Sequence, residues 1–303
     1  MKHEMDIEAP AGRRPARARR RRRFIGRAIA YGILVFCSLF YLFPLVVMLF
    51  TSLKTMPEIQ AGNILQPPQS PTLEAWRTAW SGACVGVECG GIRGFYQNTI
   101  LMVVPAVLAS TMIGALNGFA LTKYAFPSNR FVFGLLLIGA FTPYQAILLP
   151  LARTLGYLGL AGSLVGLSIT HMIYGLPFTT AFARSFYLGT PQELIKAAQI
   201  DGAGFFRTFW SVMLPVSLPI LIVSVIYQFT NIWNDFLFGA ALTYGQNAPI
   251  MVALNNIVNT STGERPYNVH MAAAILAAIP TIILYLVAGK YFIRGLMVGS
   301  VKG

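Results

Sequence analysis

The chain has 303 residues, of which 55% are hydrophobic and only 11% charged, and its mean hydropathy is +0.62. That composition excludes an ordinary soluble domain and points to an integral membrane protein. The net charge of +13 comes mostly from an arginine run at 13–27, directly before a long apolar stretch, which suits a topology anchor touching anionic lipid headgroups rather than a nucleic-acid surface.

A helix needs about 20 apolar residues to cross the hydrocarbon, and six runs reach that length, at roughly 25–50, 95–121, 131–151, 161–183, 211–238 and 271–292. The expected fold is therefore an all-α membrane protein with six transmembrane helices in one domain, 24–303, behind a basic leader, 1–23, expected to be disordered. The first run is too long for a signal-peptide core and lacks a small-x-small cleavage site, so it should stay attached. Arg13-Arg14 reads as part of the charge run, not as a twin-arginine signal.

The largest connector, 53–93, carries a Pro-Pro-Gln-Ser-Pro turn at 67–71, and Leu73 to Trp80 suits a short helix at the headgroup level. Either a membrane anchor or a resting place for a soluble partner fits it. Cys84 and Cys89 share this segment, as free thiols or as a disulfide in an oxidising compartment, while Cys37 lies inside the first run. No metal site is expected, because His3, His171 and His270 form no ligand cluster.

Lysines and arginines orient the runs. The leader, Lys123, Arg130, Arg184, Lys196, Arg207, Lys290, Arg294 and Lys302 fall on one side, against Lys54, Arg77, Arg93, Arg153 and Arg265 on the other. Both termini and the connector after the fourth run are thus expected in the cytoplasm, and 53–93 outside.

That cytoplasmic connector, 190–214, is strongly patterned. Thr190, Pro191 and Glu193 form a capping-box sequence that predicts a helix start, and Leu194, Ala197, Ala198 and Asp201 follow on one face at helical spacing. Gly202-Ala203-Gly204 should end this helix. A second should run from Phe205 to Leu214 and stop or kink at Pro215 and Pro219. The result is a docking surface between the fourth and fifth membrane runs.

The spacing Lys196-Ala197-Ala198, Gly202, Val212, Leu214-Pro215 resembles the "EAA" coupling loop of the permease subunits of binding-protein-dependent ABC importers, Asp201 and Ala203 flanking the glycine as in the carbohydrate branch. Lys196 stands where the family has an acid, and Val212 where it has isoleucine. Asn231 to Phe236, reading NIWNDF, resembles the Trp-Asn motif of sugar-type permeases. Gly295 to Gly303 is similar to the carboxyl tail of one of their two permease subunits, the shorter six-span one in maltose-type transporters. The likeness covers most of 30–303.

The resemblance implies a second permease subunit, two ATP-binding subunits that carry ATP and Mg, a periplasmic solute-binding protein, and a bacterial inner-membrane location. It also implies ATPase coupling through Glu193, Lys196, Ala197, Ala198, Asp201, Gly202, Ala203, Leu214 and Pro215, with Gly299, Val301, Lys302 and Gly303 of the 295–303 tail reaching between the ATPases. The expected cargo is a mono- or oligosaccharide, with another polyol or small polar solute as the alternative. For the cargo path the residues offer Tyr144, Gln145, His171, Tyr227, Gln228, Asn231, Trp233 and Asn234 as hydrogen-bonding and aromatic groups, all of which also suit helix packing.

The chain has no phosphate-binding loop, since Gly289-Lys290 is followed by Tyr291 and lacks the upstream glycine. It is therefore read as a transport subunit, not an enzyme, and cofactors are expected only on its partners. Apart from Asp235 the runs lack the relay charges of an ion-coupled carrier. An ATP-independent channel or carrier and a membrane scaffold or enzyme remain the readings from other classes.

Overall fold

The computed structural model describes residues 16–86, 88–124, 126–259 and 265–298. The tail positions Gly299, Val301, Lys302 and Gly303 lie outside the described residues, as do residues 1–15 of the leader. Helix α1, Ala16–Leu53, begins within the basic stretch and continues into a 30-residue apolar segment, Phe24–Leu53. Every residue from Phe24 to Val46 is exposed. A bare surface of Phe, Ile, Leu and Val of that length is tenable only against lipid or a protein partner.

Between α1 and the next long helix lie α2 (Met56–Gln60), α3 (Glu74–Ser81) and a two-stranded hairpin, β1 (Cys84–Val85) with β2 (Glu88–Cys89). Cys84 and Cys89 are paired across the hairpin by a disulfide. Helix α3 sits firmly on the bundle: Ala75 and Ala79 are buried, Trp76 Nε1 donates to Ser52 Oγ at 3.2 Å, and the Trp80 ring packs 5.3 Å from that of Tyr96.

Helix α4 (Arg93–Lys123) is followed by α5 (Asn129–Phe141) and α6 (Tyr144–Tyr157). The run 131–151, expected as one straight span, is broken here by a 98° bend. The cause is local: Pro143 has no N–H and disfavours helical geometry at Thr142, whose ψ is 124°. Helix α7 (Leu164–Leu188) leads into α8 (Glu193–Ile200), α9 (Phe205–Thr208), a π-turn at Phe209–Met213, α10 (Leu214–Val216) and α11 (Leu218–Trp233). The chain turns by 80° at Ser217, so the fifth run is also two pieces. Pro215 would clash with the carbonyl four residues back in a regular helix, and the wider π-turn immediately before it relieves that conflict. Helices α12 (Leu237–Leu242), α13 (Ile250–Asn259) and α14 (Tyr267–Val298) complete the described residues.

By length and apolarity, three described helices can cross a membrane, namely those containing Phe24–Leu53, Arg93–Lys123 and Tyr267–Gly289; counting each bent pair as one span raises this to five. Helix α7 is 25 residues long, but His171, three threonines and an arginine dilute it. It is the centre of the bundle nonetheless. Gly114 and Gly118 let α4 close onto it, since a methyl at Gly114 would lie 2.1 Å from Thr179 Oγ1 and one at Gly118 2.7 Å from Ala183 Cβ. Small residues four apart are how membrane helices approach closely, and Thr179 Oγ1 uses the proximity to donate to the Ser110 carbonyl at 2.8 Å.

Candidate functional site

Two features stand out: a cavity in the bundle and an elbow at its α8 end. The cavity encloses about 910 Å³, lined by α6, α7, α11 and the start of α12. Tyr144, Gln145, His171, Tyr227, Gln228, Asn231 and Asn234 all line it. Helical periodicity brings the last group together, for Tyr227, Asn231 and Asn234 are spaced i, i+4, i+7 along α11.

Trp233 is the correction. It points about 120° away from Tyr227 around the helix, is 2% exposed, donates from Nε1 to the Ala277 carbonyl at 2.9 Å and stacks on Phe229. It joins α11 to α14 and takes no part in the cavity wall. Sequence reasoning missed Tyr174, Phe178, Asp235 and Phe238, which also line the space. The signal for two of them was present, because Tyr174 and Phe178 follow His171 at i+3 and i+7.

The wall is organised by hydrogen bonds. Gln228 Nε2 donates to Ser110 Oγ at 2.9 Å, and Tyr174 Oη donates to the Thr142 carbonyl at 3.0 Å, which ties α7 to the bend between α5 and α6. Gly175 permits this crowding: a methyl there would fall 1.6 Å from Gln228 Nε2. Asp235 accepts from the backbone N–H groups of Phe238 at 3.4 Å and Gly239 at 3.0 Å, so its carboxylate caps the start of α12. Its Oδ2 lies 3.6 Å from His171 Nε2. None of the lining residues is a lysine or arginine.

The elbow is α8 with α9 and the π-turn. Its capping box does not form: α8 starts at Glu193 after Gln192, without a side-chain cap. Thr190 is spent otherwise, its hydroxyl donating to the Phe186 carbonyl at 3.3 Å and its own carbonyl accepting from Lys123 Nζ at 2.6 Å. The end of α8 follows expectation. Gly202 has φ of +76°, and the bonds Ala203 N to Ala198 O (2.8 Å) and Gly202 N to Gln199 O (3.0 Å) close a Schellman motif.

The expected face is split. Leu194, Lys196, Ala197 and Asp201 are exposed, but Ala198 is buried beside Ile195 and is unavailable to a partner. Ile195, on the same inward side of α8, joins a cluster with Ala115, Phe119, Ala183, Tyr187, Phe209 and Met213. Phe119 is its hub, with the rings of Phe205, Phe209, Tyr124 and Tyr187 all within 6.2 Å. Outward, Ile200 is 86% exposed, Phe206 64% and Trp210 53%. Ala203 is half-buried, and Leu214 and Pro215 sit on the short α10 at the bend.

Comparison with known proteins adds to this geometry. Residues 110–297 match the model of the binding-protein-dependent transport system inner membrane component family. The chain is 36% identical over 278 residues to a protein of Pyrococcus horikoshii described as a probable ABC transporter permease, covering 91% of this chain and 98% of that one. It is 31% identical to the xylose/arabinose import permease of Haloferax volcanii, with 89% and 92% covered. Its fold is similar, at a TM-score of 0.75 and 20% identity over 89% of this chain and 97% of the other, to a chain of a bacterial ABC transporter that imports the acidic polysaccharide alginate.

Proposed function

The chain belongs to the family of inner membrane components of binding-protein-dependent transport systems, and we propose that it is a permease subunit of an ABC importer for a sugar, forming half of the path. Likeness to a pentose permease supports the cargo class, and a cavity of about 910 Å³ walled by aromatic rings and amides suits a neutral, hydroxyl-rich solute. In this reading α7 is a sixth span beside α1, α4, the α5–α6 pair, α11 and α14. Both termini and the 190–214 elbow face the cytoplasm of a bacterial cell.

The single observation carrying the mechanism is the elbow's two-sidedness. Its inner side is locked by Ile195 and Phe209 to Phe119 of α4 and Tyr187 of α7, while its outer side bares Ile200, Phe206 and Trp210. A partner that grips the outer side moves both central helices. Two ATP-binding subunits, carrying ATP and Mg, would supply that force through Glu193, Lys196, Ala197, Asp201, Gly202 and Ala203, with the 299–303 tail between them. Their closure would favour one of two states of the bundle. A second permease subunit would cover part of the bare apolar surface, and a periplasmic solute-binding protein would deliver the sugar.

The test is ATPase activity of the reconstituted complex with its binding protein, screened over neutral mono- and oligosaccharides. Stimulation by a sugar, with uptake of that sugar, is the expected result. Solute movement by this chain alone and without ATP would favour a channel or carrier and overturn the proposal.

A further inference from the structure

Asp235 is the only carboxylate among the residues lining the cavity, and no lysine or arginine faces it there. Two backbone N–H groups, of Phe238 and Gly239, hold the side chain in place at the α12 start. Opposite stands His171, 6% exposed, with Nε2 without a hydrogen-bond partner among the described residues and 3.6 Å from Asp235 Oδ2. Phe238 fixes the imidazole edge-on, ring centres 5.6 Å apart. The imidazole backs the carboxylate from the buried side, which leaves Asp235 as the acceptor that faces the cavity.

A hydroxyl group fits that wall, because it donates to the carboxylate. A carboxylated solute does not, since it would bring a second acceptor-only anion against the first in a partly desolvated space. We propose that Asp235, positioned against His171, is a specificity-determining residue that makes the cavity accept uncharged hydroxyl-bearing solutes and reject those carrying a carboxylate. The inference rests on the reading of this cavity as the cargo path, and it adds the sign of the selection.

Charge selectivity is measurable without knowing the sugar. In the intact reconstituted importer with Cys37→Ser, an Asn231→Cys thiol in the cavity is modified in turn by a cationic and an anionic methanethiosulfonate, and the rate ratio is divided by that of a free thiol. The expected preference for the cation is about tenfold, lost in Asp235→Asn and kept in Asp235→Glu. A ratio equal to that of the free thiol, or one that ignores residue 235, overturns the proposal. If Asp235→Asn does not assemble, the ratios in the parent and in Asp235→Glu decide. ATP-driven sugar uptake by the unmodified importer separates the two failures: uptake without a cation preference sinks the selectivity alone, and a preference without uptake sinks the importer reading.

Discussion

A methyl group added at Gly175 would fall 1.6 Å from Gln228 Nε2, whereas one added at Gly202 meets nothing within 4 Å. The first glycine is demanded by space and the second by backbone geometry, since φ of +76° lies in the left-handed region that side chains rarely adopt. This sharpens what a substitution in the elbow should do. Bulk is not the obstacle at Gly202, for its surroundings are open; a β-branched residue is disfavoured by about 1–2 kcal/mol in that conformation, while asparagine tolerates it. The importer carrying Gly202→Val is therefore expected to hydrolyse ATP with little sugar uptake in proteoliposomes, and the one carrying Gly202→Asn to keep the two nearly coupled. Equal coupling in both variants would mean that the left-handed turn has no part in force transfer.

At the level of elements, the link between the elbow and the bundle is the aromatic cluster around Phe119, which is fully buried and touches rings from both α7 and the α9 segment. Truncating it removes the contact common to all of them. Phe119→Ala should lower stability by about 3–5 kcal/mol, read as a reduced thermal midpoint of the solubilised complex, and Phe119→Leu, which keeps most of the volume, should leave the complex assembled but raise ATP hydrolysis per sugar imported. Phe119→Leu with an unchanged ratio would assign the cluster to packing alone. Part of this architecture was legible locally, namely Gly202 as a helix stop and Pro215 as a break, whereas the break at Pro143 falls inside a run expected as one span. The bend angles were not legible, because proline permits a break while the packing of neighbouring helices sets its size. The failed cap at Thr190 has the same origin, as Lys123, 67 residues away, claims the Thr190 carbonyl. So has the inward turn of Ala198, since periodicity gives the face but the Phe119 cluster chooses its phase. His171 and Asp235 are brought together only by the crossing of α7 with the end of α11, which no spacing in the chain announces.

For the whole molecule, the charge bias along the chain and the two ends of the bundle make a joint statement about orientation. Ile200, 86% exposed on α8, and Tyr157, 92% exposed at the end of α6, belong to opposite sides if lysine and arginine set the topology. Single cysteines at these positions, in a Cys37→Ser background where Cys84 and Cys89 stay bonded to each other, report on this directly. With a membrane-impermeant maleimide, Ile200→Cys should be labelled in inside-out vesicles and protected in right-side-out ones, and Tyr157→Cys should behave in the reverse way. Adding the purified ATP-binding subunits should then protect Ile200→Cys in inside-out vesicles while leaving labelling at 157 untouched, because of these two positions only 200 would lie within their reach. Labelling of both positions from one side would remove the elbow from any cytoplasmic motor, and with it the reason for a lever that ends in bare isoleucine, phenylalanine and tryptophan.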